Sequence, residues 1–310
     1  MFNIKLSVCL ITYNHEQFIA EALESALAQQ TDFEYEIVVG DDCSTDRTRE
    51  IVFEYQQRYP EKIRHSHPEE NLGVNRNLAQ TLQACRGEYI ALLEGDDYWV
   101  SDLKLQKQVD FLDSHSNCAM VFHAVKTVNQ NDTVATRNSP RFGRRKILTI
   151  EDLLRLGNFI PTCSAVFRNR LFGEFPSWYY TLRIGDFPLH IFNAQYGKIG
   201  YLDRVLGAYR IHSGGTFSAE RSCRNVPEVV RLYDHLNAYL DYKHDRTITA
   251  IKSYWEAVDF YRKGDLAKAQ ACAALRASAP PYNAQAMMAW LLTHSPPLYR
   301  LVRAFRPPGA

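Results

Sequence analysis

The chain has 310 residues, 46% hydrophobic and 23% charged, a make-up that leaves room for one large folded domain and a smaller appendage. A formal net charge of +1 excludes the broad basic field expected of a nucleic-acid-binding protein. The seven cysteines are scattered, odd in number and never spaced C-x-x-C, which argues against a zinc ribbon or a disulfide framework and for reduced thiols in a cytosolic chain.

No apolar run approaches the ~20 residues of a membrane-spanning helix. Met1-Phe-Asn-Ile-Lys5 leads straight into a strand-like run, without signal-peptide architecture. Leu6 to Thr12 reads as the first buried strand and ends in Thr12-Tyr13-Asn14. Phe18, Ile19, Ala22, Leu23, Ala26 and Leu27 recur at helical spacing, which predicts an amphipathic helix over Glu16 to Gln29. Tyr35 to Val39 is the second strand and ends in Gly40-Asp41-Asp42-Cys43-Ser44-Thr45-Asp46. Ser44 or Asp46 is placed to cap a helix running to about Tyr59. Ile63 to Ser66 is a short third strand, and Asn71-Leu-Gly73 leads into a helix carrying Arg76, Leu78 and Leu82.

Tyr89 to Leu93 is the fourth strand, apolar enough to be buried on both faces of a parallel sheet. It ends in three carboxylates, Glu94, Asp96 and Asp97, with Gly95 between them. Four alternations of strand and helix predict right-handed βαβ units and a mainly parallel sheet. Ligands of such sheets bind outside the carboxyl ends of the strands, where three polar or acidic strand ends meet here. A carboxylate cluster on that rim repels itself unless a cation sits among it, and Mg²⁺ or Mn²⁺ takes oxygen ligands.

Four stretches in this order carry a resemblance: Ser7 to Asn14, Val39 to Asp46, Asn71-Leu-Gly73 with Arg76-Asn77, and Glu94-Gly95-Asp96-Asp97. Together they resemble the family-2 glycosyltransferases of the GT-A fold, over roughly residues 4 to 215. The resemblance implies an α/β fold with a mainly parallel, Rossmann-like central sheet and flanking helices. It implies inverting transfer of a sugar from a nucleoside-diphosphate sugar, above all a UDP-sugar, with Mn²⁺ or Mg²⁺ as cofactor. Thr12 and Tyr13 would line the base pocket, with Asn14 beside them, and Asp41 or Asp42 would bind the base edge or ribose. Arg76 would lie near the base or phosphates. Asp96 would ligate the metal, and Glu94 would approach the ribose or a metal-bound water, with Gly95 in the same donor-binding set. The family's metal motif usually opens with Asp, so Glu94 is a departure that bears on the ribose contacts. Asp97 is assigned to the acceptor side or to capping the next turn, and Trp99 and Arg210 to the acceptor side.

Ser101 to Leu112 reads as another amphipathic helix, and Cys118 to Val128 has strand character. Arg137 to Lys146 holds five basic residues and no acid; it is a solvated hairpin or a mobile segment meeting an anionic acceptor or membrane. Thr149 is placed to cap a short helix through Leu156. Asp186 stands in an N-cap position before an apolar helix, Phe187 to Ala194, where the resemblance puts the catalytic carboxylate. Val205 to Ile211 reads as an edge strand. By resemblance, the His212 that follows can reach the metal or the diphosphate.

From Glu220 the texture is helical, which divides the chain into a transferase domain over 1–219 and an all-α region over 220–310. Trp255 to Ala269 resembles one helix-turn-helix unit of the tetratricopeptide kind. Residues 296–306 carry an apolar stripe and three arginines, suited to a peripheral contact with the inner face of a membrane, to packing on the protein's own core or to packing on a partner subunit.

The implied reaction is a single displacement in which Asp186 takes the proton of an acceptor hydroxyl on a glycan or lipid-linked glycan. A sugar nucleotidyltransferase would want a Gly-rich phosphate loop after the first strand, where this chain has Thr12-Tyr13-Asn14-His15. A non-catalytic nucleotide- or glycan-binding scaffold would have no use for Asp96, Asp186 and His212 together.

Overall fold

The computed structural model describes residues 4–130, 134–137, 142, 146–212, 226–277 and 284–295. The chain divides into two compact units, 1–219 and 220–310. The first begins β1 (Leu6–Thr12), α1 (Ile19–Leu27), β2 (Tyr35–Asp41), α2 (Thr48–Arg58), β3 (Ile63–Ser66), α3 (Val74–Ala84) and β4 (Tyr89–Glu94). Every residue of β1 and β2 is buried, as a strand covered by helices on both faces must be. The order β3-β2-β1-β4 is parallel throughout.

The second half of the sheet comprises β5 (Tyr98–Trp99), β6 (Cys118–Asn129), β7 (Val134–Arg137), β8 (Ile147–Leu148), β9 (Val166–Arg168) and β10 (Lys198–Ile211). Strand β9 lies antiparallel between β4 and β6, so β6 runs the same way as β4. Strand β10 is parallel to β6, and β5, β7 and β8 add short antiparallel pieces. The result is an α/β sheet in which the long strands run one way, with α4 (Lys104–Ser114), α5 (Ile150–Leu156) and α6 (Asp186–Ala194) completing the helices of this unit.

Three expectations are corrected. Helix α1 starts at Ile19 because Phe18 and Ile19 both donate to the His15 carbonyl, which makes residues 15–18 a turn. Strand β10 has 14 residues and is no edge strand, since β6 and β5 flank it. Register shifts between Leu202 and Gly207 interrupt its alternation, so only its second half is legible as strand. Helix α6 begins at Asp186 itself, with Gly185 in the cap position. At α5 the expectation at Thr149 holds: Thr149 and Asp152 form a reciprocal capping box.

Gly73 precedes α3 with φ of +84°, a backbone that L side chains rarely adopt. It lets the chain turn so that its N–H reaches the Asp42 carboxylate at 3.0 Å.

The second unit is helical: α7 (Val226–Tyr239), α8 (Asp245–Arg262), α9 (Leu266–Ala277) and α10 (Ala284–His294). Gly264, at φ +83°, makes the tight turn of the α8–α9 hairpin. Ala257, Ala269, Ala273, Met288, Ala289 and Leu292 are core residues of this unit, the alanines allowing close helix approach. No helix among the described residues is long and apolar enough to cross a membrane. Most of the basic stretch 137–146, the turn after His212 and residues 296–306 lie outside the described residues.

Candidate active site

The parallel register brings the polar strand ends together. Thr12 stands opposite Asp41, and Ile11 opposite Glu94. Beyond β4 the chain turns tightly, with the Gly95 N–H donating to the Ile11 carbonyl at 2.9 Å. A Cβ on Gly95 would lie 2.4 Å from Thr12 Oγ1 and 2.9 Å from His15 Nδ1. We expect Gly95→Ala to force the β1 and β4 ends apart and lower turnover by ~10-fold or more, as small misplacements at reacting centres do. Steady-state assay beside a melting curve checks this; a well-folded variant of unchanged turnover refutes it.

Asp96 is the centre of the rim. Its Oδ2 lies 3.0 Å from His212 Nε2 and 3.8 Å from His15 Nε2. Ligand atoms of His15, Asp96 and His212 all lie within 4.8 Å of one another. One carboxylate and two imidazoles from three segments form a donor set that fits a divalent metal ion. Burial alone would push the Asp96 carboxyl up, but the His212 hydrogen bond and the imidazoles of His15 and His212 outweigh it and hold it below the usual range. Burial lowers the His15 imidazole, against the opposing pull of the Asp96 charge, which favours the neutral form that a metal ligand needs. Sequence reasoning assigned no role to His15. Its only signal was an imidazole three residues past a strand end that already carried polar groups.

Glu94 is half-buried beside this group, and the Thr162 hydroxyl hydrogen-bonds its carboxylate. Burial, and then the charges of Asp96, Asp97 and Asp186, push the Glu94 carboxyl well above its ordinary value. Thr162 also links Glu94 to Asp186, its hydroxyl 3.5 Å from Asp186 Oδ2. Asp186 Oδ2 accepts the Asn158 amide at 2.6 Å, and Oδ1 accepts the Phe187 N–H at 2.8 Å. The carboxylate is therefore oriented from two sides and stays partly open. Gly185 fits here only as glycine, because a Cβ would meet Asn75 Oδ1 at 2.1 Å. Asn75 in turn donates to the Tyr179 and Leu182 carbonyls and ties α3 to the segment just before Asp186.

The other expected donor-side residues fall into two groups. Tyr13 and Arg76 are exposed, Arg76 lying 4.9 Å over the Tyr180 ring. Asp41 and Asp42 are buried and partnered. Asp41 accepts Ser44 and Arg49 Nε, while Asp42 accepts the Leu72 and Gly73 N–H groups. Their carboxylates shape the loops after β2 and before α3. Asn14, at φ +55°, accepts the Thr45 N–H on its Oδ1 and donates its own N–H to Ser44. Thr12 is buried, with its hydroxyl on His15 Nδ1 at 3.2 Å.

The acceptor-side expectations need correction. Asp97, Trp99 and Arg210 are all nearly inaccessible, at 2%, 4% and 3% exposure. Asp97 Oδ1 accepts the Arg210 N–H at 2.8 Å, which fastens β10 to the turn after β4. Trp99 donates to the Cys163 carbonyl, and the Lys104 ammonium lies 3.9 Å over its ring. The Arg210 side chain reaches the Asp96 carbonyl at 2.9 Å and the Glu21 carboxylate at 2.5 Å. These residues frame the site from behind. Each finds its partner across a long stretch of sequence, which no local pattern records.

Comparison with known proteins bears on the family and the fold. An uncharacterized protein of Mycobacterium tuberculosis is 39% identical over 211 residues, 68% of this chain and 60% of that relative, so the alignment spans about three fifths of its length. Poly(ribitol-phosphate) β-N-acetylglucosaminyltransferase TarS of Staphylococcus aureus is 39% identical over 132 residues, 41% of this chain and 22% of TarS. The structure of TarS 1–349 with UDP-GlcNAc superposes with a TM-score of 0.64 at 23% identity, covering 97% of this chain and 88% of that one. Mannosyltransferase PcManGT from Pyrobaculum calidifontis, in complex with GDP-Man and Mn²⁺, superposes with a TM-score of 0.58 at 19% identity, covering 98% and 86%. Both likenesses speak for the GT-A fold. Residues 7–172 match the model of glycosyl transferase family 2, more than half of the chain, and the protein belongs to that family.

Proposed function

We propose that the protein is an inverting, metal-dependent glycosyltransferase that moves a sugar from a UDP-sugar to a hydroxyl of a glycan or lipid-linked glycan. The observation that carries this reading is Asp96 between two histidines, on the same rim as an oriented, partly open Asp186. The relative TarS, whose name gives it N-acetylglucosamine transfer to poly(ribitol-phosphate), supports UDP as the nucleotide and a cell-surface polymer as the acceptor class.

Asp96 and His212 would hold the metal. When bound, the ion neutralises charge developing on the leaving diphosphate. Asp186 takes the proton of the acceptor hydroxyl while the acceptor oxygen bonds to the anomeric carbon and the bond from that carbon to the diphosphate breaks. Asn158 and Thr162 hold Asp186 Oδ2 toward that proton, and the Phe187 N–H holds the other oxygen. The exposed Tyr13 ring and the Arg76 guanidinium are the side chains offered to the base and phosphates.

The test is UDP release from a panel of UDP-, dTDP- and GDP-sugars with and without Mn²⁺, beside thermal shifts with the free nucleotides. Metal-dependent turnover with a UDP-sugar is expected, together with stabilisation that grows with nucleotide concentration. If no nucleotide stabilises the protein and no donor is turned over with any acceptor glycan, the reading fails.

A further inference from the structure

The metal set contains a residue that the oxygen-rich acidic motif gives no reason to expect. We propose that His15 is a third protein ligand, so that the site takes a first-row transition-metal ion such as Mn²⁺, Co²⁺ or Zn²⁺ in preference to Mg²⁺, and takes it before the nucleotide arrives. The inference rests on the glycosyl-transfer reading for the purpose of the site, but not for its geometry.

Three observations carry it. The first is spacing. Ligands about 2.1 Å from a shared ion stand ~3.0–3.4 Å apart in octahedral or tetrahedral geometry. The Asp96 oxygen is 3.0 Å from His212 Nε2 and 3.8 Å from His15 Nε2, which brackets that range. At 3.8 Å, His15 is too far to be there for a hydrogen bond to Asp96.

The second is orientation. The Thr12 hydroxyl lies on His15 Nδ1 at 3.2 Å, which fixes the ring and leaves Nε2 toward Asp96. The His15 N–H donates to Thr48 Oγ1 at 2.8 Å, which holds its backbone as well. The ring space exists only because residue 95 has no Cβ. The His212 ring packs on Phe18 at 4.8 Å and stands edge-on to His15 at 6.1 Å. Both imidazoles are thus positioned by protein contacts alone.

The third is donor chemistry. Mg²⁺ keeps several waters and binds through one or two carboxylates plus substrate phosphates, so two nitrogens add little for it. Two imidazoles and one carboxylate with open positions form the donor set of transition-metal sites, and affinity there rises along the first row. The remaining positions are left for diphosphate oxygens. Thr12, expected to line the base pocket, acquires a different task as the residue that orients His15.

The experiment uses the full chain without nucleotide. Calorimetry should show Co²⁺ binding at least ~10²-fold tighter than Mg²⁺, with Mn²⁺ between them. Pulsed EPR of the Mn²⁺ form should count two coordinated imidazole nitrogens in the wild type and one in His15→Gln. His15→Gln should lose ~10-fold or more in Co²⁺ affinity with little change toward Mg²⁺. Thr12→Val, which keeps all three ligands, should lose ~10–100-fold, the usual cost of an outer-shell partner. A single imidazole in the wild type, or Co²⁺ affinity unchanged in a folded His15→Gln, overturns the inference, and the wild-type nitrogen count decides where the variant folds poorly. If His15 ligates but no donor is turned over, the site assignment stands and the glycosyl-transfer reading fails. If turnover needs Asp96 but His15→Gln binds metal normally, the reverse holds.

Discussion

Asp186→Asn is expected to lower turnover by ~10²–10⁴-fold, the range that a positioned general base contributes. Asparagine keeps the shape of the side chain but cannot take a proton at neutral pH. It also cannot accept on both atoms. One of the two donors, the Phe187 N–H or the Asn158 amide, must then face an NH₂ group instead of an oxygen. That mismatch is small beside the lost chemistry, because the site is partly open to water. Donor affinity should barely change if Asp186 acts, as proposed, on the acceptor hydroxyl. Steady-state turnover measured beside donor KM separates the outcomes. Near-normal turnover, or an effect confined to donor KM, would remove Asp186 from the chemistry.

Asp96→Ala is expected to abolish metal-dependent binding of UDP while the protein stays folded. The substitution removes the one carboxylate of the candidate metal set, and imidazole ligands bring no negative charge to offset an ion. The loss should exceed the 10–100-fold typical of an outer-shell partner. The fold has reason to tolerate the change. The Asp96 charge pushes the Glu94 and Asp97 carboxyls up, so its removal relieves both. Calorimetry of UDP with Mn²⁺ decides. Wild-type affinity in the variant would mean that the nucleotide is held without this cluster.

The parallel half of the sheet could be read from sequence because its causes are local. A mostly apolar run at Leu6–Thr12, Tyr35–Asp41 or Tyr89–Glu94 is a doubly covered strand, and the polar residues where each run stops mark one rim. The cap at Thr149 was legible for the same reason, since its partner Asp152 is three residues away. Asp186 and His212 came from a family pattern rather than from periodicity. What stayed hidden depends on distant partners. Asp97 looked like part of an acidic cluster, yet its carboxylate accepts an N–H that lies 113 residues further along. Trp99 was assigned to the acceptor side, yet its indole closes on the Cys163 carbonyl, 64 residues away. His15 gains meaning only once β10 has brought His212 beside it.

The bond from Asp97 to the Arg210 backbone has a consequence for how the protein acquires its chemistry. Asp96 and His212 are 116 residues apart, and the Arg210 side chain reaches back 189 residues to Glu21. Contacts of such separation must overcome the entropy of closing long loops, so they tend to form late and slowly. The β3-β2-β1-β4 sheet, by contrast, is assembled from neighbouring βαβ units. A molecule in which that sheet has formed but β10 has not docked would have His15 and Asp96 in place and lack His212. The cluster of His15, Asp96 and His212 is therefore complete only once β10, the last long strand of the sheet along the chain, has docked.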